Sequence, residues 1–174
     1  QDHTYRTLEK ALDLADRHGV DATCVELAVL GHDLFRAFED GELLQEARAR
    51  DLAIDLVEEA VPMLLHGPLA AQKLKRECGI ADAEVLEAVR WHTTSCVGMG
   101  KVGLVVFLAD KLDPDKVDDM PYLNSVAELA RESLERATLD YLTAEITWLQ
   151  GQGRLVHPAS EEARNDLLLR LSLQ

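Results

Sequence analysis

The sequence predicts an all-α fold, and three observations lead to this prediction. Leu, Ala, Glu, Asp and Arg dominate the composition, only 5% of the residues are aromatic, and apolar residues recur every three or four positions through most of the chain. The length of 174 residues is enough to bury a core without disulfides or a structural metal. We therefore expect one helical domain over residues 1–174.

In the first third of the chain, the expected cap residues mark where the predicted helices begin and end. The register of apolar residues predicts a helix over 4–18, with Gly19 at its C-cap. Asp21 is the expected N-cap of a second helix that runs to about Asp40. The charged stretch 42–60 is expected to form one or two short helices over one side of the core.

The next segment contains two predicted helices. Gly67 and Pro68 open the first, and Gly79 closes it. Asp82 is the expected N-cap of the second, which ends near His92.

The last part of the chain begins with the run 101–113, which is apolar nearly all round, as a central helix would be. It stops at Pro114. The register of apolar residues then predicts a long helix over 121–148, with a proline as its first residue. After a short extended piece over 154–158, Ser160 is expected to cap a final helix.

Composition also limits the function. A formal net charge of −14 argues against binding long nucleic acid, whose recognition needs Lys and Arg to replace counterions. A small anionic substrate remains compatible if bound metal ions supply local positive charge. The longest apolar run, 102–109, is too short to span a membrane.

Cysteine usage bears on the compartment. Cys24, Cys78 and Cys96 are odd in number and lack a short paired spacing. They indicate neither a disulfide framework nor a zinc knuckle, and they suit a reducing cytoplasm, where we expect the protein. The sequence begins at Gln1 rather than Met, and we expect a short segment to precede it.

The adjacent residues His32 and Asp33 interrupt an apolar stretch. His32 shares a predicted helix face with Ala28 and Phe35, so it should point into the core. Burying an ionised aspartate beside it costs several kcal/mol unless a partner or a metal compensates. Taken alone, the pair also fits a core histidine bonded to a backbone carbonyl, with the aspartate turned to solvent.

Further along the chain, other histidines and acids share this property of facing inward on a predicted helix or helix edge. The whole set is His3, His32, Asp33, His66, His92 and Asp110. Imidazole and carboxylate ligands suit iron, manganese, nickel or zinc, and six of them exceed what one four-coordinate zinc requires. We therefore predict two divalent metal ions, with one aspartate bridging them. The other histidines, His18 and His157, are predicted to be structural.

The order of these residues resembles that of the HD-domain metal-dependent phosphohydrolases. Several blocks are similar in turn to those of the YqeK family: HTYRTLEKALDLADRHG, LAVLGHDLFR, LLHGPLAA, EAVRWHTT and VVFLADKLDP. The similarity covers most of residues 1–114 and, more weakly, the stretch around LVHP. It implies an HD-domain helical bundle with a metal-site core over 1–114 and C-terminal helices over 121–174.

The resemblance also implies an activity. A member of this family would be an iron-dependent enzyme that hydrolyses diadenosine tetraphosphate symmetrically to two ADP, with a hydroxide between the two metals as the nucleophile. By motif position, one metal would be held by His3, His32, Asp33 and Asp110. The other would be held by His66, His92 and the bridging Asp33.

Basic residues are expected to handle the phosphates. Arg36 lies one helical turn after His32 and would stabilise the departing ADP as a catalytic residue alongside Asp33. We expect both Arg36 and Lys116 to bind substrate.

The chain departs from the family's usual pattern at several of these positions. The family usually has lysine at position 36, a basic residue near Cys96, and Glu-Pro followed by an arginine where this chain has Asp113, Pro114 and Lys116. These departures lie outside the metal set, so they bear on which nucleotide is bound rather than on the metal centre.

Two other functions stay open at this stage. One is an HD phosphohydrolase acting on another nucleotide or phosphate ester, and the other is a non-enzymatic module that binds a nucleotide or a metal. The sequence leaves the oligomeric state open and is compatible with a homodimer through the long helix after Pro121.

Overall fold

A computed structural model describes residues 2–113, 120 and 122–173 of the chain. Within these residues the secondary structure is helical, without strands, which confirms the predicted all-α class. The helices are α1 (Asp2–His18), α2 (Ala22–Gly31), α3 (Asp40–Ala49), α4 (Leu56–Ala60), a 3₁₀ turn (Pro62–Leu65), α5 (His66–Glu77), α6 (Ala83–Trp91), α7 (Lys101–Lys111), α8 (Leu123–Glu132), α9 (Leu134–Gly151) and α10 (Pro158–Ser172).

The helix α7 lies at the centre of the fold, as its sequence predicts. Every residue of 102–111 is buried, and α1, α2, α6 and α9 pack around it. Since side chains all round a helix can be apolar only where neighbours cover it on every side, this burial explains the composition of the run. Asp110 and Lys111 are the charged residues that α7 carries into this environment.

Two predicted helix caps are confirmed. The carboxylate of Asp21 accepts hydrogen bonds from the backbone amides of Thr23 and Cys24 at 2.7 and 3.1 Å. The carboxylate of Asp82 accepts from Glu84 and Val85 at 2.9 and 3.2 Å. Each aspartate satisfies amides that have no partner within the helix, which fixes where α2 and α6 begin.

The prediction that the second helix continues to Asp40 is wrong. Helix α2 ends at Gly31, and turns with shorter i to i+3 bonds follow it, such as that from the amide of Arg36 to the carbonyl of Asp33. The imidazole of His32 donates from Nδ1 to the carbonyl of Val29 at 2.6 Å. Basic side chains near the C-terminus of a helix often donate a hydrogen bond to one of its last carbonyls in this way.

The long helix predicted over 121–148 is also interrupted. Ser133 has an extended backbone, with φ −150° and ψ 118°, and separates α8 from α9. Its hydroxyl accepts a hydrogen bond from the amide of Arg136 at 3.3 Å and so caps α9. Residues 114 and 121, where prolines were expected to end α7 and to open this helix, lie outside the described residues.

The cap of the last helix lies three residues before the predicted one. His157 caps α10 by accepting from the amide of Ala159 at 3.1 Å, and Pro158 is the first helical residue. The hydroxyl of Ser160 instead donates to the carbonyl of Thr94 at 2.9 Å. This bond attaches α10 to the loop that follows His92.

None of the helices within the described part of the chain combines the length and the apolar character needed to cross a lipid bilayer.

Candidate metal centre

The six side chains predicted as metal ligands converge at the ends of five helices. His3 lies in the first turn of α1 and His66 is the first residue of α5, whereas the others lie in the last turn of a helix or directly after it: His32, Asp33, His92 and Asp110. Five of them line a cavity of about 540 Å³, and His32 is buried beside it. The structure therefore brings together residues separated by more than 100 positions in the chain.

The three buried histidines share one hydrogen-bonding arrangement. In His32, His66 and His92, the Nδ1 atom lies 2.6, 2.5 and 2.8 Å from the carbonyl oxygen of the residue three positions earlier. A carbonyl can only accept, so Nδ1 carries the hydrogen in each ring. In the neutral form, each Nε2 is then an unprotonated nitrogen that faces the cluster.

The hydroxyl of Thr93 can donate to Nε2 of His92 at 3.2 Å, but the other two nitrogens have no hydrogen-bond donor among the described residues. The Nε2 atom of His32 is buried without a hydrogen-bond partner among the described residues. The Nε2 atoms of His66 and His92 face each other at 2.8 Å, although neither carries a hydrogen when Nδ1 does. Such lone pairs are satisfied by a cation, so the donor set fits a metal centre.

Asp33 lies between two pairs of histidines. Its Oδ1 atom is 3.4 Å from Nε2 of His66 and 3.8 Å from Nε2 of His92. Its Oδ2 atom is 3.5 Å from Nε2 of His32 and 3.9 Å from Nε2 of His3. One carboxylate oxygen thus faces each pair, as in a carboxylate shared by two ions.

The charge states agree with this arrangement. Burial raises the pKa of Asp33, but the attraction of the nearby His66, His32 and His92 outweighs burial and lowers the pKa to about 2. Burial lowers the pKa of His92 well below its ordinary value, and His32 and His66 add to the effect. The cluster therefore presents an anionic carboxylate and a neutral imidazole, which are the forms that bind metals.

Two groups of three side chains have ligand atoms within 4.8 Å of one another: one is His3, His32 and Asp110, and the other is His32, Asp33 and His92. The family resemblance had assigned His66, rather than His32, to the metal that Asp33 and His92 would hold. Nε2 of His66 lies 3.4 Å from Oδ1 of Asp33 and 2.8 Å from Nε2 of His92, so His66 is close to both of these residues as well. His32 lies between the two groups.

Sequence reasoning did not single out Lys111 as a functional residue. Its Nζ atom lies 3.0 Å from Oδ2 of Asp110 and 5.3 Å from the centre of the Phe107 ring, and it lines the cavity. Burial lowers its pKa, but Asp110 and Glu145 outweigh burial and raise the pKa above its ordinary value. A lysine in a helix that is apolar all round was the available signal, since a buried charge needs a reason.

Asp113 is the second residue with an unrecognised role. Its buried carboxylate lies 2.5 Å from Nδ1 of His3 and also binds Arg6. Only its departure from the family pattern marked it in the sequence, because its partners lie more than 100 positions away.

The two residues predicted to bind substrate have different outcomes. Arg36 lines the cavity, where its Nη1 atom contacts the sulfur of Met63 at 2.6 Å. Lys116 lies outside the described residues.

Comparison with known proteins agrees with the geometry. Residues 1–115 match the model of the family described as HD domain. A protein of Halalkalibacterium halodurans named "Bis(5'-nucleosyl)-tetraphosphatase, symmetrical" is 32% identical over 96% of this chain and 88% of its own length. A protein of the same name from Bacillus subtilis is 29% identical over 90% of this chain and 82% of its own length.

A solved structure shows the same fold. It is described as a predicted HD superfamily hydrolase involved in NAD metabolism from Clostridium acetobutylicum, and it covers 97% of this chain and 88% of that one with a TM-score of 0.91. At 24% sequence identity, the likeness concerns the fold.

Proposed function

The chain belongs to the HD domain family of metal-dependent phosphohydrolases, and on this premise we propose that it hydrolyses diadenosine tetraphosphate symmetrically to two ADP. The observation that carries the proposal is the position of Asp33, with one oxygen toward each pair of histidines. The relatives named as symmetrical bis(5'-nucleosyl)-tetraphosphatases supply the substrate.

The described residues fit two divalent ions. His3, His32 and Asp110 would hold one ion together with Oδ2 of Asp33. His66 and His92 would hold the other together with Oδ1 of the same carboxylate. When bound, such ions neutralise charge on phosphate oxygens and lower the pKa of water, which makes a nucleophile available at neutral pH.

We propose iron as the metal. The cluster offers imidazole and carboxylate donors without a thiolate, and this chemistry suits iron, manganese, nickel and zinc. The resemblance to the YqeK family, which implies an iron-dependent enzyme, favours iron among them.

Cations of the chain itself are placed to bind the tetraphosphate. Lys111 projects from the cavity wall with its charge partly balanced by Asp110, so it can contact a phosphate oxygen. Arg36 contacts a sulfur atom and forms no ion pair with a residue that the structure describes, so its guanidinium is available for bidentate phosphate binding. In a chain with a net charge of −14, such local positive charge is needed to admit a polyanion.

The leaving group decides what else the site must provide. ADP departs as a stable phosphate anion, so its departure requires charge stabilisation more than a strong general acid. Arg36, which lines the cavity, is suited to this role. Cleavage at the middle of a symmetric tetraphosphate leaves two phosphates on each nucleoside, so both products are ADP.

Product analysis tests the proposal. Reduced, iron-loaded protein is incubated with diadenosine tetraphosphate, and the products are separated by ion-exchange chromatography, with the Asp33→Asn variant as control. We expect ADP as the sole product from the wild-type protein. AMP plus ATP would contradict symmetrical cleavage, turnover of other nucleotides alone would indicate a different phosphohydrolase, and binding without turnover would indicate a non-enzymatic module.

A further inference from the structure

The four histidines of the cluster are held in two different ways. His32, His66 and His92 each donate from Nδ1 to a backbone carbonyl of their own helix or turn, and their side chains are 1%, 5% and 2% exposed. His3 has a side chain that is 31% exposed, and its Nδ1 faces the carboxylate of Asp113 at 2.5 Å. The orientation of His3 therefore depends on another side chain.

Asp113 is itself fixed by Arg6. The Nε atom of Arg6 donates to Oδ1 of Asp113 at 3.1 Å, and its Nη2 atom donates to Oδ2 at 3.1 Å. This two-point contact sets the plane of the carboxylate as well as its position. The carboxylate is 1% exposed and the side chain of Arg6 is 33% exposed, so solvent screens this contact less than it screens an ion pair between two surface side chains.

The contact joins the first turn of α1 to the residues that follow α7. His3 and Arg6 are three positions apart and so lie on the same face of α1, and both bind one carboxylate. Because a carboxylate accepts, His3 carries its hydrogen on Nδ1. Its Nε2 is then directed to the cluster, 3.2 Å from Oδ1 of Asp110.

We infer that Arg6 and Asp113 are positioning residues that hold His3 for the metal position shared with His32 and Asp110, and that they set the metal affinity of that position alone. The inference rests on the proposed metal centre. The position of His66 and His92 does not depend on this pair, because backbone carbonyls orient both rings. The two metal positions are therefore unequal in how they are held.

Manganese titration tests this inference without relying on activity. Mn²⁺ is added anaerobically to metal-free protein, and electron paramagnetic resonance separates free, isolated and coupled bound ions. The wild-type protein should bind two equivalents with a coupled spectrum. In Arg6→Gln and Asp113→Asn, the affinity for one equivalent should fall by about 10- to 100-fold, the usual effect of losing a group that orients a metal ligand.

The spectrum of the variants should accordingly be that of an isolated ion until the Mn²⁺ concentration is raised. Arg170→Gln is the matched control, since it removes another arginine–aspartate ion pair, with Asp166 in α10, and it should leave both equivalents unchanged. The Arg6→Gln variant keeps the buried carboxylate of Asp113, so the titration can rely on this variant if Asp113→Asn does not fold.

Unchanged affinity for both equivalents in the variants, or equal weakening of both, would overturn the inference. A wild-type protein that binds two equivalents but does not cleave diadenosine tetraphosphate would instead refute the proposed function and leave the inference standing.

Discussion

At the scale of single residues, Asp33 links the local chemistry to the proposed activity. Its carboxylate is half-buried, with 25% of the side chain exposed, and so costs free energy unless cations or donors surround it. Three of its four nearest ring nitrogens belong to buried histidines. Those rings donate their only N–H to backbone carbonyls when they are neutral. Metal ions would compensate both the carboxylate and the nitrogens at once.

Lys111 provides a prediction at this scale. Replacing it with methionine keeps much of the side-chain volume but removes the charge beside Asp110, so kcat/KM for diadenosine tetraphosphate should fall. The loss should be roughly 10- to 150-fold, corresponding to about 1.5–3 kcal/mol for a hydrogen bond to a charged group. Steady-state kinetics measures it, and Lys111→Arg should retain part of the activity. A methionine variant with unchanged kcat/KM would show that Lys111 does not contact the substrate.

Among residues, the sequence indicated the ones whose chemistry conflicts with their surroundings. Histidines and acids on apolar helix faces stand out because burial there needs compensation, and His32, His66, His92 and Asp110 are indeed buried. Asp113 could not be recognised, since its role depends on its distance to His3 and on nothing in the neighbouring sequence. That the histidines and acids of the cluster bind metal stays a prediction until metal binding is measured.

At the scale of helices, the close approach of α5 and α6 positions His66 and His92. Gly67 is the residue that permits it, because a Cβ atom there would lie 2.8 Å from the carbonyl oxygen of Arg90 and 3.2 Å from a ring carbon of His92. Backbone cannot move out of the way as a flexible side chain can. The contact between the two helices therefore sets the distance between the two imidazoles.

Gly67→Ala tests this contact. The added methyl group should push α5 away from α6 and destabilise the protein by about 1–3 kcal/mol, as overpacking of a core does. Gly41→Ala in α3 is the matched control, since a Cβ atom there meets nothing within 4 Å, and it should stabilise by about 0.4–1 kcal/mol. Urea unfolding followed by circular dichroism measures both. Equal stability of the two variants would contradict the account of this contact.

Helix types and most caps could be predicted from the sequence, whereas two interruptions could not. The apolar register continues through Gly31 and through Ser133. Periodicity alone does not show that a side chain will form a hydrogen bond with a backbone carbonyl or amide there and end the helix. The cap at His157 was missed because Ser160 is the more usual cap residue. Hydrogen bonds between side chain and backbone decided all three places.

At the scale of the whole molecule, the family assignment and the fold agree. The resemblance to HD-domain proteins deduced from sequence blocks is confirmed by the match over residues 1–115 and by the curated relatives. The match ends at residue 115. Beyond it, α9 packs against α7, and α10 is attached to the loop after His92. The oligomeric state, for which the sequence allows a homodimer, stays open.

Metal removal gives a prediction for the whole molecule. Ions that bind the folded chain alone stabilise it, by about 2.7 kcal/mol for one site at a free metal concentration 100 times Kd. For a domain of this size, that corresponds to a rise in Tm of roughly 5–10 °C. Differential scanning calorimetry with Mn²⁺ and with excess chelator measures the difference. A Tm that is the same in both conditions would contradict binding of metal to the folded state.

The central claim is that two metal ions share Asp33, and metal analysis of protein purified anaerobically tests it most directly. We predict two iron equivalents for each wild-type chain, about one for His66→Ala, and a loss affecting both positions for Asp33→Asn, with circular dichroism showing that each variant is folded. A folded wild-type chain that binds no metal under any reconstitution condition, or an Asp33→Asn variant that retains both equivalents, would contradict the claim.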